Sequence, residues 1–123
     1  MKRDAAALPP DRLRYVSLRD GAAFTRVYGT GSRRRVGEIL VISAPGEEGP
    51  PRVGVVAGRR VGSAVVRNRV KRRLREALLR AELTEATSYI IVALPGIGGA
   101  KFVEIAAWVR RGVRWNRSKT GET

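Results

Sequence analysis

Positive charge is concentrated in one segment of this chain. Residues 59–80 contain nine of its 25 Lys and Arg residues and a single acid. Within the segment, Arg67, Lys71 and Arg75 are spaced four apart, and like charges at that spacing destabilise a helix by roughly 0.2–0.5 kcal/mol per pair. We therefore expect anions from outside the chain to balance this charge. The phosphate groups of a nucleic acid are the first candidate.

The composition of the whole chain agrees with that interpretation and excludes several kinds of enzyme. The 123 residues carry a net charge of +14 at pH 7, and 43% of them are hydrophobic, which is enough for one small domain with a core. The chain has no Cys and no His, so disulfides, Cys/His zinc sites, thiol nucleophiles and imidazole acid–base catalysis are excluded. Its acids are scattered, unlike the clustered carboxylates of a metal-dependent nuclease.

The two ends of the chain differ from its middle. Residues 1–12 contain two adjacent prolines and no sustained periodicity, which predicts a flexible lead-in. A single domain is expected at 13–115, followed by a flexible tail at 116–123. No apolar run approaches the roughly 20 residues of a membrane span, and the prolines interrupt any signal-peptide core. We therefore expect a soluble cytoplasmic protein.

The apolar spacing predicts an α+β protein. Helices are predicted at 20–28, 64–81 and 101–115, and strands at 39–42, 53–57 and 88–94. Asp20 and Ser63 are placed to cap the first two helices. The first two strands are expected to form an antiparallel hairpin. The second strand, the second helix and the third strand would form a βαβ unit, for which the general chirality rule predicts a right-handed crossover.

The second predicted helix separates apolar from cationic side chains. One sector of its wheel, the expected buried stripe, holds Val66, Val70, Leu74, Ala77 and Ala81. Opposite this stripe lie Asn68, Lys71, Arg72 and Arg75, flanked by Arg67, Arg69 and Arg73. Arginine outnumbers lysine here, which favours bidentate binding of phosphate. Asn68 could read a base edge, bind a sugar hydroxyl, hold a hydrated metal ion or fix a neighbouring arginine.

Three stretches rich in glycine lie at 29–32, 58–62 and 96–99. The middle one permits a turn from strand to helix, with Arg59 and Arg60 pointing outward beside the basic face. The first lacks the ending of a Walker loop, and the last follows a strand, unlike the loop of a KH domain. Plain turns are expected at those two places.

Aromatic residues supply the remaining candidates. Phe24 and Tyr28 lie four apart on the first helix, where they are either core residues or a platform on which unpaired bases stack. Trp108 is expected in the core. Trp115 lies near the end of the last helix, where either role is open.

Residues 52–76 read RVGVVAGRRVGSAVVRNRVKRRLRE and closely resemble the signature of the protein subunit of bacterial ribonuclease P. The hallmark of that signature is an Arg-Asn-Arg run followed by further basic residues, and the match has no gaps. Weaker agreement at 12–13, 24–29 and 89–93 extends the resemblance over most of the chain.

The resemblance implies a fold, which is a small α/β sandwich of order αβββαβα. Its mixed four-stranded sheet contains a short strand near 33–35, ahead of the strand at 39–42. Its βαβ crossover is left-handed, contrary to the general rule. The basic helix lies within that crossover.

The resemblance also implies a function. Such a subunit joins a catalytic RNA in a one-to-one particle, and that RNA with Mg²⁺ removes the 5′ leader from precursor tRNA. No protein side chain is expected to be catalytic or to hold a metal. The surface for the catalytic RNA would comprise Arg59, Arg60, Arg67, Asn68, Arg69, Lys71, Arg72, Arg73 and Arg75. A cleft between the first helix and the sheet would take the leader at Phe24, Tyr28, Arg33 and Arg34.

The chain departs from the family pattern at two places. The family commonly has Ser-Lys-Lys where this chain has Gly58-Arg59-Arg60, so the charge is kept and a hydroxyl is lost. An aromatic residue usually stands on the strand that faces the cleft, whereas 39–42 contains none. The resemblance then implies weaker stacking of the leader, or a part for a tryptophan.

Two other classes of protein share some of these features. A structural RNA-binding protein such as a ribosomal component would have the same charge, but it would sediment with ribosomal subunits. A protein-only, metal-dependent nuclease would need clustered acids and would cut precursor tRNA without an RNA partner.

Overall fold

The computed structural model describes residues 15–122, with side chains as far as Arg114. This part of the chain forms five strands and three α-helices, with short 3-10 helices at Arg59–Val61 and Pro95–Gly99. In chain order the elements are β1 (Val16–Ser17), α1 (Gly21–Thr30), β2 (Ser32–Val36), β3 (Ile39–Pro45), β4 (Arg52–Ala57), α2 (Ala64–Leu78), β5 (Thr87–Ala93) and α3 (Phe102–Glu122). The predicted lead-in at 1–12 and the side chain of Trp115 lie outside the described residues.

The strands form one mixed sheet in the order β1-β4-β5-β3-β2. β4 runs parallel to β1 and β5, whereas β3 runs antiparallel to β5 and β2. The antiparallel hairpin predicted from 39–42 and 53–57 is therefore wrong, because β5 lies between these strands. A two-residue turn at Gly37 and Glu38 joins β3 to β2 instead. The loop at 46–51 is long enough to cross one intervening strand, a distance of roughly 10 Å.

The predicted fold class is confirmed, with one strand more than expected. From α1 onward the order is αβββαβα, and the short strand implied near 33–35 is β2. The additional strand, β1, pairs with the start of β4. Its Val16 N–H donates to Pro51 O at 2.8 Å, and the Leu18 N–H donates to Val53 O at 2.9 Å. A strand of two residues is too short to show a periodicity in the sequence.

Each face of the sheet has its own core. α1 covers one face, where Val27 packs with Ile42 and Ile90. α2 and α3 cover the other face. There the strands contribute Val41, Val53, Tyr89 and Ile91, and the helices contribute Val70, Leu74, Ile105 and Val109. Alternate residues of β3 and β5 serve the two cores, which explains why both strands are apolar throughout.

The hand of the crossover follows from the geometry of Val53. Its carbonyl accepts from Leu18 and so points toward β1, away from β5, while its side chain packs with Val70 and Leu74 of α2. For an L-residue seen from its side-chain face on a strand running upward, the carbonyl points to the right. β5 is then on the left, beneath α2.

A chain that rises along β4, returns through α2 in front of the sheet and enters β5 on the left makes a left-handed crossover. The hand implied by the resemblance is confirmed, and the right-handed expectation is wrong. The general rule describes strands that feed directly into a crossover helix. Here a 3-10 turn ending at Gly62, with φ 151°, redirects the chain between β4 and α2.

The helices begin and end close to the predicted residues. Asp20 caps α1 as expected, accepting from Ala22 N–H at 3.1 Å. α2 ends at Leu78, three residues before the predicted end, although Ala81 is buried as expected. α3 continues to Glu122, past the predicted end at 115. A flexible tail at 116–123 stays a prediction.

Replacing Gly37 with Ala is expected to lower the free energy of unfolding by about 2–4 kcal/mol. Gly37 lies in the β2–β3 turn at φ 55°, a left-handed conformation that costs a residue with a Cβ about 1–2 kcal/mol. The added methyl would also overlap the indole of Trp108, which packs on the core as predicted. Urea unfolding measures the loss. Gly29→Ala is the control, because an added Cβ there meets nothing within 4 Å; equal losses at both positions would contradict the packing argument.

Candidate nucleic-acid interface

The turn between β4 and α2 places two arginines in solvent. Arg59 and Arg60 are exposed, while Val61 is buried and anchors the turn. Gly62 supplies the positive φ that the turn requires. Ser63 then caps α2, accepting from the backbone N–H three residues on at 3.3 Å. These local features direct both arginines outward, beside the start of α2.

α2 presents an apolar stripe to the sheet and its cations to solvent. Of the predicted stripe, Val70, Leu74, Ala77 and Ala81 are buried and Val66 is half-buried, and Leu78 joins them. Opposite the stripe, Asn68, Arg72 and Arg75 are exposed, whereas Arg67, Arg69, Lys71 and Arg73 are half-buried. One helix therefore carries seven of the nine residues predicted to contact the catalytic RNA.

The cations of α2 have almost no acidic partner among the described residues. Glu76, the one acid of the helix, pairs with Arg80 at 3.1 Å. Arg67 donates from Nη1 to Gly62 O at 2.9 Å, which holds it against the turn. Arg80 follows the end of α2, and among the described residues no cation of α2 itself lies in an ion pair. The excess of positive charge on α2 that the sequence showed is therefore not balanced by any acid in the part of the chain that the structure describes.

Asn68 lies on the exposed face of α2, one turn before Arg72. Its side chain makes no hydrogen bond to the part of the chain that the structure describes. In the free protein, Asn68 therefore does not hold a neighbouring arginine side chain in place by a hydrogen bond. The other three roles considered for Asn68 all require a partner outside the chain.

The aromatic pair lies on α1, where each member has a different environment. Phe24 is half-buried over the backbone of Gly54 in β4, where any Cβ would overlap its ring. The ring centroid of Tyr28 lies 6.4 Å from that of Phe24, and Tyr28 is 36% exposed. Of the two expected roles, core residue or stacking platform, Phe24 partly fills the first. Tyr28 exposes its ring to solvent.

Arg33 and Arg34 lie on opposite faces of the sheet. Arg33 donates from Nη2 to Tyr28 O at 2.7 Å, and its guanidinium lies 5.8 Å from the centre of the Tyr28 ring. Arg34 is the cross-strand partner of Val41, which belongs to the core under α3, and cross-strand partners share a face. The structure therefore brings Arg33 together with the aromatic pair, but not Arg34.

A groove of about 200 Å³ joins the two predicted surfaces. Phe24 of α1 and Arg75 of α2 both line it, together with Tyr15 and Arg19. The Tyr15 O–H points to the Arg75 carbonyl at 3.5 Å. Burial raises the pKa of Tyr15, while the charge of Arg75 acts to lower it, so the phenol is protonated at neutral pH and can donate. Sequence reasoning missed Tyr15 and Arg19, since neither belongs to a periodic segment.

No aromatic residue of β3 faces α1. Ile42 lies on that face and is buried. Tyr89 of β5 lies in the opposite core, where its O–H oxygen accepts from Thr84 N–H at 2.9 Å. Trp108 also packs on that opposite side, so it does not replace the strand aromatic.

The described residues hold neither a cluster of metal ligands nor a helix that could span a membrane. Among the side chains that the structure describes, no three acidic groups lie close enough together to hold one metal ion. None of the described helices is both long and apolar enough to cross a membrane.

Comparisons with known sequences agree on one family. A family model described as Ribonuclease P matches residues 13–115. The ribonuclease P protein component of Acidothermus cellulolyticus is 42% identical over 103 residues, which cover 80% of this chain and 82% of that protein. The same component of Thermus aquaticus is 41% identical over 102 residues, covering 82% and 60% respectively. This chain spans about three fifths of the length of the Thermus relatives.

Solved structures show the same fold. The RNase P protein of Staphylococcus aureus aligns with a TM-score of 0.71 and 20% identity, covering 81% of this chain and 94% of that one. The RNase P protein from Thermotoga maritima aligns with a TM-score of 0.69 and 19% identity, covering 77% and 96%. At such identities the likeness concerns the fold alone. The family match and the relatives above 40% identity carry the conclusion that this chain belongs to the ribonuclease P protein family.

Proposed function

We propose that this chain is the protein subunit of a ribonuclease P particle, in which it binds the catalytic RNA and the 5′ leader of precursor tRNA. The observation that carries the proposal is the set of α2 cations that lack acidic partners among the described residues. The surface that we assign to the catalytic RNA comprises Arg59, Arg60, Arg67, Asn68, Arg69, Lys71, Arg72, Arg73 and Arg75.

The physical task of this surface is charge neutralisation. Catalytic RNA and precursor tRNA are both polyanions, and a small body with a net charge of +14 offsets their repulsion. With about six phosphate contacts, the logarithm of the affinity should fall with the logarithm of salt at a slope of about −0.7 to −0.9 per contact. The arginine side chains provide the geometry for bidentate contacts to phosphate oxygens.

We assign the leader to the side of the sheet covered by α1. Phe24 and Tyr28 offer aromatic faces on which unpaired bases stack, and Arg33 beside Tyr28 supplies a cation for the backbone. Arg34 is left out of this surface because it lies on the other face. The groove shared by Phe24 and Arg75 makes the leader surface continuous with the surface for the catalytic RNA.

The proposal places the cleavage chemistry in the RNA. The acids of the described residues do not form a site for a metal ion, so we derive no step through a metal held by the protein. Mg²⁺ bound by the RNA would neutralise charge at the scissile phosphate. This chain would bind both RNAs, position the leader and neutralise phosphate charge. It would do so as a single copy in a one-to-one cytoplasmic particle.

A cleavage assay tests the function directly. Precursor tRNA is incubated at low Mg²⁺ with the catalytic RNA alone, with the protein alone and with both. We expect no cutting by the protein, slow cutting by the RNA and fast cutting by the mixture. Cutting by the pure protein would instead identify a nuclease. Failure to stimulate the RNA, together with co-sedimentation with ribosomal subunits, would identify a structural ribosomal protein.

A further inference from the structure

The turn that carries Arg59 and Arg60 has a glycine at each end. Gly58 precedes the two arginines, and Gly62 follows Val61. Glycine has more backbone freedom than any other residue, so a segment bounded by glycines loses more conformational entropy when it becomes ordered. If Arg59 and Arg60 bind RNA, that loss weakens their binding unless the folded protein already holds the turn in one conformation.

The base of the turn is held by packing and by two backbone hydrogen bonds. Val61 is buried in the core that also contains Ile97. The Val61 N–H donates to Gly58 O at 3.0 Å, and the Gly62 N–H donates to Arg59 O at 3.1 Å. Neither of these hydrogen bonds reaches α2, so they do not fix the turn to the cationic face of the helix.

A side-chain hydrogen bond does join α2 to this turn. Arg67 Nη1 donates to Gly62 O at 2.9 Å. Side chains of a helix lean toward its N-terminus, so a long side chain four residues after the cap at Ser63 can reach back beyond that cap. Among the described residues, no other side chain of α2 bonds to residues 58–62, and no backbone N–H donates to Gly62 O.

The environment of Arg67 makes this hydrogen bond a strong one. The donor is charged, and hydrogen bonds from charged donors are roughly twice as strong as neutral ones. Arg67 is half-buried and has no ion pair among the described residues, so no carboxylate there competes with Gly62 O for its guanidinium. The other N–H groups of the guanidinium remain available for a phosphate.

We propose that Arg67 is a positioning residue, whose hydrogen bond to Gly62 O holds Arg59 and Arg60 in the conformation that contacts the catalytic RNA. This inference rests on the proposed function. Arg67 would then raise the affinity chiefly through the two arginines of the turn, because the turn is ordered before the RNA arrives. Gly58 has no side chain that could hold the other end of the turn, so this chain depends on Arg67 for that order.

A double-mutant cycle with the catalytic RNA tests the proposal. Arg67→Met removes the donor and should lower the affinity by roughly tenfold. In that background, Arg59→Met/Arg60→Met should have little further effect, because arginines on a mobile turn contribute little. Arg69→Met is the matched control, since Arg69 is also half-buried on α2 but makes no hydrogen bond or ion pair to the described residues. Its loss and that of the turn variant should multiply to within about twofold.

Measurements on the free protein separate positioning from direct contact with RNA. NMR relaxation should show more motion of the Arg60 and Gly62 amides in Arg67→Met than in the wild type. Arg67→Lys keeps the charge and a donor on a long stem, so it should restore the rigid turn and most of the affinity. Gly58→Ala should recover part of the loss in the Arg67→Met background by restricting the turn, because a Cβ there meets nothing within 4 Å and φ is −83°.

The outcomes distinguish the positioning role from the proposed function. If the losses from Arg67→Met and the turn variant multiply as those from Arg69→Met do, the positioning role is overturned and the surface for the catalytic RNA stands. A rigid turn in Arg67→Met would overturn it too, as would an Arg67→Lys protein that regains affinity while its turn stays mobile. If Arg69→Met and the turn variant each leave the affinity unchanged, the surface assigned to the catalytic RNA is wrong and the inference fails with it.

Discussion

Replacing Lys71, Arg72 and Arg75 together with Gln is expected to weaken binding of the catalytic RNA more than tenfold. Arg72 and Arg75 are exposed and Lys71 is half-buried on the outer side of α2, and none of the three lies in an ion pair among the described residues. Their charges are therefore available to phosphates. Losing up to three contacts should also reduce the salt slope by about 2–3 units. Affinity measured at several salt concentrations checks both numbers.

The fold should tolerate this triple change. Surface substitutions away from packing usually alter stability by less than about 0.5 kcal/mol, and the change also removes repulsion between cations four apart. The control removes three charges from α3 and the residue before it as Lys101→Gln, Arg110→Gln and Arg111→Gln, all at exposed positions. If both triple variants bind the catalytic RNA equally, net charge and not the α2 surface sets the affinity. Unchanged affinity at fixed salt would refute the assignment of α2.

Replacing Phe24 and Tyr28 with Ala is expected to weaken binding of precursor tRNA by at least tenfold relative to mature tRNA. Stacking of a base on an aromatic side chain is worth about 1–3 kcal/mol per base, and mature tRNA has no leader to lose. The measurement is the ratio of the dissociation constants for precursor and mature tRNA. A loss of folded protein would weaken both equally and leave this ratio unchanged. Equal losses for both RNAs would place the leader elsewhere.

Two further variants separate stacking from packing at this site. Phe24 also contributes to the core under α1, so its replacement changes packing as well as stacking. Gly54→Ala keeps the Phe24 ring but displaces it, because the added Cβ would overlap that ring. It should reproduce part of the loss in precursor binding. Phe102→Ala removes a half-buried aromatic of α3, under the guanidinium of Arg80 at 5.4 Å, and should leave the ratio unchanged.

The two departures from the family pattern bear on how large the loss of leader binding should be. Gly58 offers no hydroxyl at the turn, and β3 presents the buried Ile42 to α1 where an aromatic is usual. Neither Tyr89 nor Trp108 reaches that face. Phe24 and Tyr28 are therefore the aromatic rings available for stacking among the described residues of α1 and the sheet face beneath it. Their loss should matter more here than in a chain with a third ring.

The basic helix could be predicted from the sequence because every signal for it is local. Ser63 as the cap, the stripe at Val70 and Leu74, and the cations between them follow from spacings of three and four residues. The same applies to Asp20 and the aromatic pair on α1. Charge and periodicity need no knowledge of the rest of the fold.

The pairing of the sheet could not be predicted in that way. The runs at 39–42 and 53–57 each read correctly as strands, but consecutive strands pair only about two-thirds of the time, and here β5 takes the place between them. Side-chain alternation puts neighbours on opposite faces, so Arg33 and Arg34 could be assigned to faces only after the register of β2 with β3 was known.

The chain by itself determined that this protein is cationic, lacks Cys and His, and carries its charge on one amphipathic helix, because composition and short-range periodicity are properties of the sequence. Only the tertiary structure decided which cations meet. Contacts between residues far apart in the chain place Arg75 in the groove beside Phe24. They also place three arginines, Arg19, Arg26 and Arg52, around one pocket. Such long-range contacts depend on how whole faces pack against each other, and no spacing along the sequence encodes them.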